Sequence, residues 1–424
     1  MKKNNRNLIA SPQPLDTTFE ALLQEFPADL VESAREFEAF RRGRKIRSVA
    51  QLLQLVMLYC GLDYSLRSCA GTLCLLGRQI SDQGVSERLS GCAAWLEHLL
   101  KEMLPAVPAD AANQSTGRWI LIDGSTIQVL GATGTSYRLH LAWDWVSQQI
   151  VQWILTDVKT GESLKLYEVA AGDIFIADRG YSRRADIEAV LDKGGEVLVR
   201  VAPQILPVVD EAGEKVDLAG QLWAAEGNQV SLRVRLKGDA RGREMNLYAF
   251  RLPPEKAAEA RRKRAARARK KGVQMKKETL EYAAWMIILS SLDEARVSAA
   301  EVAEIYRLRW QIEIVIKRLK SVLEIDCLRS RYGNPLSKVY LLGKSLYALL
   351  IARRSGQLSA HTKEVEWRVW KMMREELNPV INQVSHWKKE NISQAIKQLK
   401  ERKRQRKRQT THGNELLSKI LAIV

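Results

Sequence analysis

Three acidic residues stand where a carboxylate can do chemistry. Asp123 closes the apolar run Trp119-Ile120-Leu121-Ile122, and Asp178 closes Ile174-Phe175-Ile176-Ala177; both runs have the composition of buried strands. A carboxylate at the end of such a strand has its backbone held by the sheet while its oxygens face outward, a placement suited to a metal ligand. A lone Asp in this setting is ordinarily a turn former, so each gains meaning only in company. The third acid is Glu313, within a helical pattern running from about Ala299 to Leu323. At about 100° per residue, Tyr306, Arg309, Glu313 and Lys320 share an arc of about 60°, and Ile305, Leu308, Ile312, Val315, Ile316 and Leu319 fill the adjoining arc. The plain alternative is a solvated face with an Arg309–Glu313 pair four residues apart.

Three acids from two strands and a helix suit a hard divalent cation, Mg²⁺ with Mn²⁺ as the alternative, which takes oxygen ligands and keeps several waters. Two such ions about 3.5 to 4 Å apart stabilise the entering and leaving oxygens of a phosphodiester displacement. The candidate metal set is Asp123, Asp178 and Glu313, with Asp144 and Asp157, on neighbouring strand patterns, in reserve. No thiol or imidazole is needed, and none of the five His lies in a ligand-like motif. Arg309 and Lys320 suit phosphates, the one as a bidentate fork and the other as a point charge; Tyr306 can donate a hydrogen bond, and Lys317 is a further candidate DNA contact.

The elements that must position these residues can be read from composition and periodicity. The chain has 424 residues, 46% of them hydrophobic, enough for one large core or two to three smaller ones. Lys and Arg number 67 against 49 Asp and Glu, and the net charge of +18 is spread along the chain, which favours a polyanionic partner, nucleic acid first. Cys60, Cys69, Cys74, Cys92 and Cys327 show no zinc spacing and are read as reduced core thiols. No apolar run is long enough to span a membrane and no leader is evident, so a cytoplasmic protein is expected.

Residues 1–115 read as a helical N-terminal domain. In it Ser65–Leu76, a turn at Gly77–Ile80 and a helix capped by Ser81 suit either a DNA-binding helix-turn-helix or an ordinary helical hairpin. From Trp119, strand candidates Thr126–Leu130, Tyr137–Trp145, Ile150–Thr156 and Val197–Val201, with helical Glu162–Val169 and Arg183–Leu191, indicate an α/β sheet with helices packed on it. An insertion at about 203–283 interrupts it, carrying the alternating Val230–Arg235 and the basic Arg261–Lys277, and Trp285–Ser290 resumes the strand pattern. Residues 331–424 read as a helical, basic C-terminal region.

The spacing Tyr306, Arg309, Glu313, Lys320 reproduces the Tyr-x2-Arg-x3-Glu-x6-Lys signature of bacterial insertion-sequence DDE transposases, and the chain resembles that family. Asp178-Arg179-Gly180-Tyr181 is similar to the surroundings of the family's second Asp, and Leu121–Thr126 to those of its first. The resemblance implies a ribonuclease-H-like catalytic core over 116–330 with a β-rich insertion, cut-and-paste transposition of double-stranded DNA by two metal ions, and a homodimer in the synaptic complex of a bacterial, nucleoid-associated enzyme. It implies DNA contacts for Arg179 and Tyr181, a base-stacking role for Trp285 and a hairpin intermediate. Taken on its own, an aromatic residue at the start of a strand belongs to the core. The rivals are a metal nuclease of the same core without strand transfer, and a catalytically silent repressor. The Arg261–Lys277 segment either binds DNA backbone or is a solvated helix; Lys397–Arg408 allows the same choice, and Trp367 and Trp370 serve either dimer contacts or internal packing.

Overall fold

The computed structural model describes residues 18–106, 117–129, 134–330, 333–359 and 366–399. The chain forms two compact units, residues 1–103 with 333–424, and residues 104–332.

The first unit is helical. Numbered along the whole chain, its helices are α1 (Phe19–Leu23), α2 (Leu30–Glu36), α3 (Val49–Val56), α4 (Leu66–Leu75), α5 (Asp82–Ser90) and α6 (Ala93–Glu102), then α13 (Pro335–Ser359), α14 (Glu366–Asn382) and α15 (Ile392–Leu399). The N-terminal and C-terminal helices, expected as separate regions, share one body. Helix α13 is buried on all sides through its middle, from Val339 to Ile351 almost without a break, and is mostly apolar there apart from Lys344 and Ser345. Its Lys344 donates to the Asp63 carboxylate, which also accepts from the Tyr340 hydroxyl at 2.5 Å. Ser65 and Ser81 cap α4 and α5 by accepting from Ser68 N and Gly84 N, and Gly77 turns the chain between them at φ +81°. Cys60, Cys69, Cys74 and Cys92 are buried thiols outside any disulfide in this unit, and Trp370 lies in its core. Of Lys397–Arg408, all beyond Leu399 lies outside the described residues.

The second unit is a mixed α/β body around one sheet. Its strands are β1 (Trp119–Val129), β2 (Tyr137–Asp144), β3 (Gln149–Asp157), β4 (Ile174–Ala177), β5 (Glu196–Arg200), β6 (Val208–Val209), β7 (Gln229–Leu236), β8 (Glu244–Arg251), β9 (Trp285–Ser290) and β10 (Cys327–Leu328). They run in the order β3-β2-β1-β4-β5-β9-β8-β7-β6, with β10 beside β1. The helices are α7 (Arg184–Leu191), α8 (Leu218–Ala224), α9 (Pro254–Lys270), α10 (Lys277–Tyr282), α11 (Ala299–Leu308) and α12 (Trp310–Leu323). Strands β1, β4 and β5 are parallel; β2 pairs antiparallel with β1 and β9 with β5, and β3 pairs antiparallel with β2.

Several boundaries differ from the expectation. β1 does not stop at Asp123: antiparallel pairing with β2 carries it on through Ile127, so the two short strands expected there are one. Glu162–Val169 is not a helix and holds only a 3-10 turn at Leu164–Leu166. The segment expected as an insertion contributes β6 to β8 and α8 to α10, and its strands extend the main sheet because β8 pairs with β9. The expected helix from Ala299 to Leu323 is broken at Arg309 into α11 and α12.

The register of β1 on β4 sets Trp119 opposite Ile174, an offset of 55 residues (174 − 119) that also pairs Leu121 with Ile176. One step earlier, the same offset meets a buried ion pair: Arg118 Nε and Nη2 donate to the two Asp173 oxygens at 2.7 Å each, and Ala170 N donates at 2.9 Å. Asp173 has no solvent-exposed surface. Removing Arg118 or the Asp173 carboxylate leaves its partner buried without a countercharge. Asp173→Ala is expected to lower urea-unfolding stability by about 3–5 kcal/mol, whereas Arg118→Met with Asp173→Leu recovers most of that loss. An unchanged midpoint in Asp173→Ala would remove this pair from the account of the register.

Candidate active site

Continuing the 55-residue offset places Asp123 opposite Asp178. The face is set by alternation. Ile120 and Ile122 of β1, Phe175 and Ala177 of β4 and Val197 and Val199 of β5 all enter one buried apolar cluster. Asp123 and Asp178 therefore lie in the alternate register, on the other face of the sheet. Helix α12 packs against β1 and β2, buries Ile312, Val315, Ile316 and Leu319 of the expected stripe, whose Ile305 and Leu308 on α11 are half-buried, and carries Glu313 in its first turn.

Arg309, at the break between α11 and α12, joins these parts. Its Nη2 donates to Glu313 Oε1, and its Nη1 lies 3.9 Å from Asp123 Oδ2. Its guanidinium carbon lies 5.9 Å from the Tyr306 ring centroid, within cation–π range. Asp123 Oδ1 also accepts from Gly124 N at 2.8 Å, and Asp178 Oδ1 accepts from Gly180 N at 2.6 Å, capping the turn Arg179–Tyr181. Burial raises the Asp123 pKa to about 6; the Asp178 and Glu313 charges push the same way, and the Gly124 N–H and Arg309 oppose them. The carboxylates are thus close enough to repel one another, yet each is turned to its own donor. Among the described residues no three acid, His or Cys side chains converge as a ready ligand set.

Glu162 belongs to the same neighbourhood and was missed because the pattern placed it at the start of a helix, Glu162–Val169, that does not form. A Cβ at Gly180 would stand 2.0 Å from Glu162 Oε2 and 3.1 Å from Asp178 Oδ1. Burial and the Asp178 charge raise the Glu162 pKa, and Arg138 and Arg183 oppose the rise. The glycines one and two places after the acids, Gly124 and Gly180, were the available signal for a close approach here.

The other expected residues fall differently. Tyr181 is fully buried, its hydroxyl 3.4 Å from that of Tyr167, and presents no surface to a DNA strand. Tyr306 is 7% exposed and backs Arg309 instead of standing on a presented face. Arg179 and Lys317 are exposed, and Lys320 is half-buried. Asp144 accepts from Val146 N and Ser147 Oγ, and Asp157 from Lys159 N, Thr160 N and Thr160 Oγ1, so both reserve acids are turn formers. Trp285 points with Ile287 and Leu289 into the apolar cluster, the face opposite the acids. It is 2% exposed, its Nε1 donates to Glu281 at 2.8 Å, and the Arg251 guanidinium covers its ring at 4.3 Å.

Residues 114–342 match the family described as Transposase DDE domain. The chain is 33% identical over 333 residues to the putative transposase InsL for insertion sequence element IS186A of Escherichia coli (strain K12), which covers 77% of this chain and 90% of that protein. It is 34% identical over 334 residues to the transposase for insertion sequence element IS421 of Escherichia coli, with the same coverage of 77% and 90%. With the transposase for insertion sequence element IS231E of Bacillus thuringiensis subsp. finitimus the identity is 22% over 392 residues, 79% of this chain and 81% of that one. A cryo-EM structure of the piggyBac transposase synaptic complex with hairpin DNA aligns over 95% of this chain and 85% of that chain, with a TM-score of 0.42 and 11% identity.

The chain belongs to the DDE transposase family, and it is a transposase of the bacterial insertion-sequence type, in a family that uses divalent metal ions. Among the described residues no helix is long and apolar enough to cross a membrane.

Because Trp285 fills the core, Trp285→Ala is expected to lower stability by about 3–5 kcal/mol in urea unfolding. Trp285→Phe, which keeps most of the ring volume, is expected to cost far less. A Trp285→Ala protein as stable as wild type, with its DNA chemistry impaired, would instead assign the ring to a bound base.

Proposed function

We propose that Asp123, Asp178 and Glu313 are the catalytic acids of a ribonuclease-H-like core that performs cut-and-paste transposition of double-stranded DNA. The observation that carries this reading is the common register of Asp123 and Asp178 on one sheet face, with Glu313 and Arg309 packed over it. The strand order β3-β2-β1-β4-β5, antiparallel then parallel, supports the ribonuclease-H-like assignment.

The donor set fits a hard divalent ion: all three groups are carboxylates, and their mutual repulsion, which helps raise the Asp123 pKa, is what a dication relieves. Asp123, Asp178 and Glu313 would hold Mg²⁺ or Mn²⁺. When bound, two such ions supply charge stabilisation at the entering and leaving oxygens of an in-line displacement. The chain's own side chains do the positioning. Arg309, backed by Tyr306, offers a planar fork to a phosphate beside the scissile one, and Lys320 and Lys317 add point charges along the same helix. Hydrolysis at the element's end joins water oxygen to phosphorus and frees a 3′-hydroxyl. In the joining step that oxygen bonds to a target phosphorus, the target strand's 3′-oxygen leaves, and the proton of the attacking hydroxyl is given up. Two ends must be cut and joined together, which favours a homodimer with one site per copy. The exposed basic side chains of α9, and α4–α5 as a helix-turn-helix, are the proposed DNA-binding surfaces outside the site.

The test is a nicking and joining assay with Mg²⁺ on DNA carrying this gene with its flanking sequence. Asp123→Asn, Asp178→Asn and Glu313→Gln are each expected to abolish both products while leaving DNA binding and the folded state intact. Arg309→Ala is expected to lower the nicking rate about 10²-fold, the cost of a misplaced scissile phosphate. A Glu313→Gln protein that nicks at the wild-type rate overturns the assigned triad.

A further inference from the structure

Of the acids gathered at the site, two are answered by a cation in contact and two are not. Arg309 reaches Glu313 and Asp123. Among the described residues Asp178 accepts only from Gly180 N, and the Glu162 carboxylate accepts no hydrogen bond and makes no ion pair. Both side chains are half-buried. Arg138 and Arg183 act on Glu162 through space without touching its carboxylate, and Asp178 repels it.

Glu162 is held where β1 and β4 part. It follows β3, and the turn just after it buries Leu164 and Tyr167 in the apolar cluster, on the sheet face opposite Asp123 and Asp178. From that side its carboxylate comes up past the end of β4 and lies between the two strands. A Cβ at Gly124 would stand 3.5 Å from Glu162 Cγ and 3.6 Å from Oε1, whereas a Cβ at Gly180 would collide with Oε2 and stand 3.1 Å from Asp178 Oδ1. One oxygen therefore faces the residue after Asp123, and the other faces the turn after Asp178. Neither glycine has a left-handed φ, so the backbone does not require glycine at these positions. At Gly180 the missing Cβ makes room for a carboxylate.

We propose that Glu162 is a fourth carboxylate ligand of the divalent-ion centre, placed on the Asp178 side, beyond the reach of Arg309. Two carboxylates set side by side in a half-buried place repel, and a dication attracts both. Hard ions such as Mg²⁺ and Mn²⁺ take carboxylate oxygens, and the charge of the ligand set tunes how tightly such ions are held. A merely structural Glu162 would not need its charge, because glutamine has the same shape and can donate a hydrogen bond to Asp178. The inference rests on the reading of Asp123, Asp178 and Glu313 as metal ligands and adds a residue that neither strand pattern nor helix face supplies.

The test is Mn²⁺ binding to the full chain without DNA, read from the loss of the free-ion signal in electron paramagnetic resonance, with thermal melts in EDTA and in Mn²⁺. Glu162→Gln is expected to melt no lower than wild type in EDTA, since it removes a like charge and keeps the shape. Its Mn²⁺ affinity is expected to fall at least about tenfold, and Mn²⁺ is expected to raise its melting temperature less than it raises that of wild type. Gly180→Ala is expected to lower both melting temperature and affinity, and adding Glu162→Ala to it is expected to recover the melt but not the affinity. Unchanged affinity in Glu162→Gln, or a fall in affinity accompanied by a lower melt in EDTA, overturns the proposal. Asp123→Asn is measured alongside. If it loses Mn²⁺ while Glu162→Gln keeps it, only the fourth ligand falls; if neither loses it, the parent reading falls as well.

Discussion

The arrangement of the second unit depends on one register, that of β1 against β4. The Arg118–Asp173 pair lies at its buried start, and the two candidate aspartates lie five residues further along on the same offset. Strand side chains alternate between faces, so a slip of one residue on either strand would send one aspartate into the apolar cluster of Ile122 and Ala177. The β-strand spacing of about 4.8 Å then fixes how far apart the two backbones can be. Neither carboxylate needs a side-chain partner to find its place, because the sheet has placed it.

Charge decides the rest of the site. A cluster of acids behind partly buried walls is unfavourable unless cations answer it, and Arg309 answers it by reaching both Glu313 and Asp123. The break between α11 and α12 falls at this residue, which lets its side chain turn back over the acids while Ile312 and Leu319 stay in the core. On the other side, the absence of a Cβ at Gly180 admits Glu162 beside Asp178. Asp123 and Asp178 lie in register on one sheet face, and Arg179, Arg200, Arg264 and Arg267 line a separate cavity.

Much of this was legible in the sequence where period and residue type agree. The runs before Asp123 and Asp178 are strands, the stripe Ile312, Val315, Ile316 and Leu319 is buried, and Ser65 and Ser81 cap the helices they precede. What was not legible depends on partners far away in the chain. Whether β1 ends at Asp123 is decided by its pairing with β2, and Glu162 stands in a loop that only tertiary contact brings to Asp178. The burial of Tyr181 and Trp285 follows from which sheet face each joins, a matter of register that one strand's pattern leaves open. The mostly apolar middle of α13 signals burial but not the partner of its Lys344, the Asp63 carboxylate near the other end of the chain.

Iron-mediated cleavage of the protein itself reports whether the β1–β4 register builds a divalent-ion site from Asp123, Asp178 and Glu313. With Fe²⁺ and ascorbate, radicals generated at a metal site cut the nearby backbone, and the fragments can be read by mass spectrometry. Cuts are expected adjacent to Asp123, Asp178 and Glu313, suppressed by Mg²⁺ and lost in Asp178→Asn. Cuts clustered elsewhere, or a pattern that neither Mg²⁺ nor Asp178→Asn changes, would contradict it.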